Sequence, residues 1–231
     1  MLRKRIFDRP RCRLTRAKLA SVVFVLTAIS VNSEVDHLIP LDIRYLEPNA
    51  RQMLARKLFA SPANYGRLVV IPPGIRGEQS VAIYSDSKSP TGFVVTCTEA
   101  ETNVCNATSK DTTNRKNEDE INVRRTDIFA PKSMCMAVSQ AVHKMVSNTA
   151  PADLADRFVD GTTLWFSANV EGKTIEGLLT EEIRGPSATL LRQVADELVD
   201  YCAAPTSERL KYGNRVEETA KRLIDRSELG P

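Results

Sequence analysis

The order of residues 1–33 constrains this chain more than any other feature, because it decides which part of the sequence folds and where. Eight basic side chains, Arg3, Lys4, Arg5, Arg9, Arg11, Arg13, Arg16 and Lys18, precede an uncharged run of thirteen residues, Leu19 to Val31. Ser33 ends that stretch, and Glu34 returns the chain to polar sequence. A basic end that stays in the cytoplasm and an apolar stretch that enters a translocon are the parts of a secretory signal. As a helix the run is about 20 Å long at 1.5 Å per residue, whereas a bilayer core is about 30 Å thick. It is short for a stable span and well sized for a signal. Cleavage fits after Ser33, with Val31 two residues earlier, or after Ser30, with Ala28 two residues earlier. The competing readings are an uncleaved membrane anchor and a buried core helix. A nucleic-acid arm is disfavoured, because Leu19 to Val31 has no polar face.

Setting the leader aside changes the charge of what remains. The whole chain has 32 Lys plus Arg and 29 Asp plus Glu, a net of +3. Residues 1–33 hold eight of the bases and one acid, Asp8, so the remaining 198 residues carry 24 bases and 28 acids, a net of −4. A surface of that sign is a poor match for phosphate backbones, whose binding rests on clustered Lys and Arg. No nucleic-acid partner is expected, and contact with a membrane only through the N-terminal segment if it stays uncleaved. A chain of 198 residues suffices for one domain, expected over residues 34–231.

The cysteines change meaning in the same way. Cys12 leaves with the leader, and Cys97, Cys105, Cys135 and Cys202 remain. An even number in an oxidising compartment reads as disulfides. Cys97 at the end of one strand and Cys105 at the start of the return would close a hairpin tip. Cys135 shares a helix side with Val138, Val142 and Val146, and Cys202 follows Leu191, Val194 and Leu198 at helical steps. Both lie on apolar faces, so the expected pairs are Cys97–Cys105 and Cys135–Cys202. Chain entropy assigns them about 2.6 and about 4.4 kcal/mol. The competing reading leaves Cys135 and Cys202 as buried free thiols. A metal site is not expected: no Cys-x-x-Cys occurs, and His37 and His143 stand alone.

Along the remaining chain, residues 34–40 read as a loose start and Leu41, Ile43 and Tyr45 alternate at strand period. A helix is expected from Pro48 and Asn49 to about Phe59. Strands are expected at Leu68 to Ile71, Ser80 to Tyr84, Phe93 to Thr98 and Ile121 to Arg125. Residues 106–120 are almost wholly polar and read as an exposed loop, with Asn106-Ala107-Thr108 matching a glycosylation acceptor. Pro131 opens a helix to about Ser147. Thr162 to Asn169 and Lys173 to Leu179 form a hairpin around Glu171-Gly172. Ser187 caps a helix to Cys202, and a charged helix from about Ser207 to Arg226 follows. Six to eight short strands, mostly joined by short turns, pair antiparallel. With three or four helices the class is α+β.

No reactive constellation stands out. Cys135 and His143 are eight residues apart on one helix, about 12 Å of rise and about 80° of rotation, so they cannot meet. No Gly-x-Ser-x-Gly elbow is present. Gly74-Ile75-Arg76-Gly77 lacks the Gly-Lys-Ser/Thr end of a phosphate loop and reads as a turn. Glu181-Glu182, and Asp153, Asp156 and Asp160, are the acids from which a hydrolytic pair could come. Trp165 and Phe166 are neighbours on a strand and so face opposite sides. Core on both sides is the simpler reading, and otherwise one of them is the place to look for a ligand surface. No cofactor is expected. The resulting expectation is an exported, periplasmic or secreted, disulfide-stabilised module that binds, inhibits or has a structural role in the envelope. The alternative is an exported hydrolase using carboxylates or an unrecognised serine.

Overall fold

β-Branched and apolar runs separated by turn residues build a single six-stranded antiparallel sheet. The computed structural model describes residues 36–41, 48–59, 63–73, 76–104, 121–150 and 161–226. The strands are β1 (Gly66–Ile71), β2 (Gln79–Ser85), β3 (Phe93–Ala100), β4 (Val123–Phe129), β5 (Thr163–Val170) and β6 (Lys173–Leu179). Their spatial order is β4-β3-β2-β1-β5-β6. Four helices are described: α1 (Pro48–Leu58), α2 (Lys132–Ser147), α3 (Pro186–Ala203) and α4 (Arg209–Arg226). The class is α+β, as the strand pattern and short turns imply.

The leader at 1–33 lies outside the described residues, as do Cys105, the 106–120 segment with its glycosylation acceptor, Ile43 and Tyr45, Gly74 and Ile75, and Asp153, Asp156 and Asp160.

Register fixes the two faces of the sheet. Gly177, Phe166, Leu68, Val81, Cys97 and Thr126 form one row across it. The adjacent row, Leu178, Trp165, Val69, Ser80, Thr98 and Arg125, points the other way. Helices α2 and α3 lie on the first face with α4 packed against both, and α1 covers part of the second.

The helices pack through stripes at steps of three and four. Cys135, Val138, Val142 and Val146 are buried on α2, Leu191, Val194 and Leu198 on α3, and Val216, Ala220 and Leu223 on α4. Helix α4 lies between α2 and α3, which barely touch each other. Gly213 permits this: a Cβ there would lie 3.3 Å from the Tyr201 ring on α3 and 3.4 Å from the Met134 sulfur on α2. The Lys144 ammonium of α2 donates to the Ile224 carbonyl at 3.1 Å and so ties α2 to the last turn of α4.

Three expectations about local structure need correction. Residues 36–40 are not a loose start. Leu38 is fully buried, and Ile39 makes a bridge to Leu178 with N–H···O distances of 3.0 and 2.8 Å. The Asp36 carboxylate accepts from the Ala188 N–H at 2.8 Å and caps α3 from a distant part of the chain. Ser187 therefore does not serve as the cap, and the N-cap residue Gly185 has no side chain to do so. The fourth strand runs Val123–Phe129, two residues later in its start and four in its end than its apolar pattern suggests.

Candidate functional site

A polar groove runs between the C-terminal half of α3 and the end of the sheet where β2, β3 and β4 meet. It has two lobes, of about 300 Å³ and about 630 Å³, which share Gln79, Glu99 and Arg124. The smaller lobe reaches Cys97, Cys202 and Arg209, and the larger reaches Arg76, Glu101 and Asp196.

The cysteines set the shape of this groove. The bridge is Cys97–Cys202, with Cα atoms 6.0 Å apart. It replaces both expected pairs. Cys97 sits inside β3 with its side chain on the helical face, where it meets the last turn of α3. Cys202 turns to the sheet and bonds Cys97, and it is the preceding Tyr201 of α3 that lies near Cys135. Cys135 is a buried free thiol whose pKa is pushed up to about 12 by burial, so it is protonated and a weak nucleophile. The bridge spans 105 residues, and a closed loop of that size contributes about 4.7 kcal/mol in the chain-entropy account.

Charges in the groove are largely paired with one another. Arg124 on β4 forms an ion pair with Glu99 on β3, and the Gln79 amide on β2 donates to the same carboxylate at 3.3 Å. The Arg209 Nε–H donates to the Ala204 carbonyl at 3.2 Å, which closes the turn after α3. Desolvation pushes the Asp196 carboxyl up, and the nearby Arg192 charge offsets part of that. Arg192 itself is held by the Thr180 carbonyl at 2.7 Å. The result is a recess with guanidinium and carboxylate groups on facing walls.

The aromatic pair expected as a ligand surface is core on both sides. Trp165 is 2% exposed and Phe166 is fully buried. Phe166 lies under the helical layer. Trp165 lies under the end of α1, with the Phe59 ring 5.0 Å away and the Arg51 guanidinium 5.6 Å from its centroid. Arg51 also pairs with Glu176 on β6. Arg67 covers the Phe59 ring at 4.0 Å, and desolvation there lowers its pKa to about 10. The chain's own residues thus occupy the surface that Trp165 offered.

The other candidate groups do structural work or stay apart. The Glu181 carboxylate accepts the Thr162 N–H at 3.0 Å and anchors the entry to β5. Glu182 points a buried oxygen away from any hydrogen-bond donor among the described residues. His143 is exposed on the polar side of α2, while Cys135 faces the core. The His37 ring is half-buried against the sheet edge, with Nε2 unbonded among the described residues. Among the described residues no three His, Cys, Asp or Glu side chains are placed to hold a metal ion, and no helix is long and apolar enough to cross a membrane.

Sequence reasoning missed the groove because its walls come from six elements far apart in the chain. The one available signal was Cys97: in β3 it shares a strand face with Val95, which points to the core side rather than to a hairpin tip. No family model matches the sequence, no curated protein matches it, and no solved structure matches its fold.

Proposed function

We propose that this chain is an exported binding module that takes a small polar ligand, carrying charge of both signs, into the groove beside Cys97–Cys202. An inhibitory or structural role in a cell envelope or outside the cell follows from such binding. The observation that carries this reading is the bridge itself, because disulfides persist in oxidising compartments and are rare elsewhere. The basic-then-apolar order of residues 1–33 agrees with it. The paired state of Glu99 favours binding over catalysis, since Arg124 and Gln79 hold it as a fixed acceptor.

Mass analysis of the chain from envelope and medium, with and without reductant, tests the export step. The expected species lacks the leader and carries one disulfide. An intact N-terminus with every thiol free would overturn export. Thermal shift against amino acids and dipeptides tests the groove, with Arg124→Ala as control. A shift that the variant loses supports the reading, and no shift across the panel removes it.

A second reading, a carboxylate hydrolase, is favoured by one observation. Asp196, with its carboxyl pushed up, lines the same lobe as Glu99, which is held by a guanidinium. A carboxyl raised by burial suits a general acid. Turnover of chromogenic glycosides or esters that Asp196→Asn abolishes would establish it, and no turnover would exclude it.

A further inference from the structure

Among the described residues the outer edge of β4 is unpaired, and its sequence is complementary to itself. β4 ends the sheet, and no other described strand pairs with its outer side. Ala130 N–H donates to the Phe93 carbonyl at 3.3 Å and Glu101 N–H donates to the Asn122 carbonyl at 3.0 Å, which fixes the phase of the ladder. The even-numbered residues of β4 therefore aim their backbone groups at β3. Val123, Arg125, Asp127 and Phe129 aim theirs outward. The side chains of these same four residues share one face of the sheet. Val123 is 39% exposed and Phe129 is 61% exposed, both unusual for large apolar groups in this chain. Arg125 and Asp127 are also partly exposed, and they pair with each other along the strand at 3.2 Å.

Antiparallel pairing of two copies of Val123–Phe129 about a two-fold axis at Thr126 satisfies all of these groups together. It sets Arg125 opposite Asp127 of the second copy, twice, and Val123 opposite Phe129, twice. The four outward N–H and C=O pairs of each strand then meet as hydrogen-bonded pairs. Opposite charges and apolar pairs across a ladder stabilise it, while like charges opposite each other destabilise it. Moving the axis by one residue sets Arg125 against Arg125, or Asp127 against Asp127, and shortens the overlap. Only the register centred on Thr126 gives unlike charges and apolar partners along the whole strand. Exposed edges normally carry some device against unwanted pairing. Here the charges are of both signs and placed symmetrically, so they select one partner.

We propose that this chain forms a two-fold symmetric dimer through β4, joining two six-stranded sheets into one of twelve strands. The partner is a second copy of the chain. This goes beyond the export and groove readings and does not rest on either. A single pair of edge strands is at the small end of interface sizes, so the dimer is weak and concentration-dependent.

Sedimentation velocity of the disulfide-intact chain, over a concentration series up to about 0.5 mM, tests this. The wild-type chain is expected to move from monomer to dimer and no further. Arg125→Glu and Asp127→Arg should each weaken the dimer at least about tenfold, because each change sets two like-charged pairs across the axis. An equimolar mixture of the two single variants should dimerise. The carboxylate introduced at position 125 of one copy then meets the guanidinium introduced at position 127 of the other. The double variant should also dimerise. Circular dichroism confirms that each variant is folded, and both positions lie at the surface. A wild-type chain that stays monomeric, open-ended polymers, single variants that still dimerise, or a mixture that stays monomeric would each overturn the proposal.

Discussion

The two ends of the sheet are held by different means. At the β6 end, apolar packing and the chain's own N-terminal segment close the structure. Leu38 and Ile39 lie against Leu178 and Gly177, and α2 rests on β5 through Val142 and its neighbours. At the β4 end, six of the seven strand residues are exposed, a groove separates α3 from the strands, and a covalent bridge from Cys202 to Cys97 fastens the helical layer. The packed end keeps only a small recess of about 180 Å³, lined by Arg67, Ser167, Asn169 and Thr174. An end fastened at one covalent point leaves both a recess and an open strand edge. This division explains why the groove and the self-complementary edge fall in the same half of the molecule.

The difference can be broken from either side. Cys202→Ser should have the largest effect, a loss of about 4 kcal/mol and a fall in melting temperature of about 10 °C, read by calorimetry. In the reduced wild-type chain, alkylation at neutral pH should modify half-buried Cys202 well before Cys135, whose thiol is buried and protonated. An equal rate at both would mean that the helical layer separates as a unit.

Phe166→Ala strikes the packed end and should cost about 3.5 kcal/mol, while leaving the Cys97–Cys202 bridge formed in a mass measurement. Gly177→Ala should cost about 2 kcal/mol, because a Cβ at that site lies 2.8 Å from both the Leu38 Cβ and the Thr149 hydroxyl. Urea denaturation gives the value, and no loss would show that the N-terminal segment contributes nothing to sealing this edge.

The smallest effect is electrostatic. Hydrogen bonds from Lys221 and Ser133 hold the Glu217 carboxyl below its ordinary range. A depressed folded pKa stabilises above the ordinary carboxylate value and is lost as pH falls through the folded one. The Lys221 partner is exposed and screened by solvent, so the share is under about 0.5 kcal/mol. Glu217→Gln should flatten the melting temperature between about pH 5 and about pH 3 by that amount, measured against the wild type.

Much of the element list was legible from local pattern. The hairpin around Glu171-Gly172, the helix after Pro131 and the strands at Leu68, Ser80 and Phe93 all appear where periodicity and turn residues put them. Residues 36–40 were not legible, since Leu38 and Ile39 carry no periodic signal of their own and are held by β6, by the Ala150 N–H and by the start of α3. Trp165 and Phe166 were correctly placed on opposite faces, but their burial depended on α1 and α2 arriving from elsewhere in the chain. The groove was hidden for the same reason, because Arg76, Glu99, Arg124, Asp196 and Arg209 share no segment.

The sequence by itself determined the kinds of element and most of their extents, because helix and strand periods, prolines and turn residues act within a few positions. It also set the charge balance on either side of residue 33. Tertiary structure alone decided that Cys97 pairs with Cys202, that Asp36 caps α3, and that β4 and β6 end the sheet. Those outcomes depend on which distant segments lie side by side. The rotation of α3 made that choice for the cysteines, because it sets Cys202 against Cys97 on the sheet and Tyr201, one residue earlier, near Cys135.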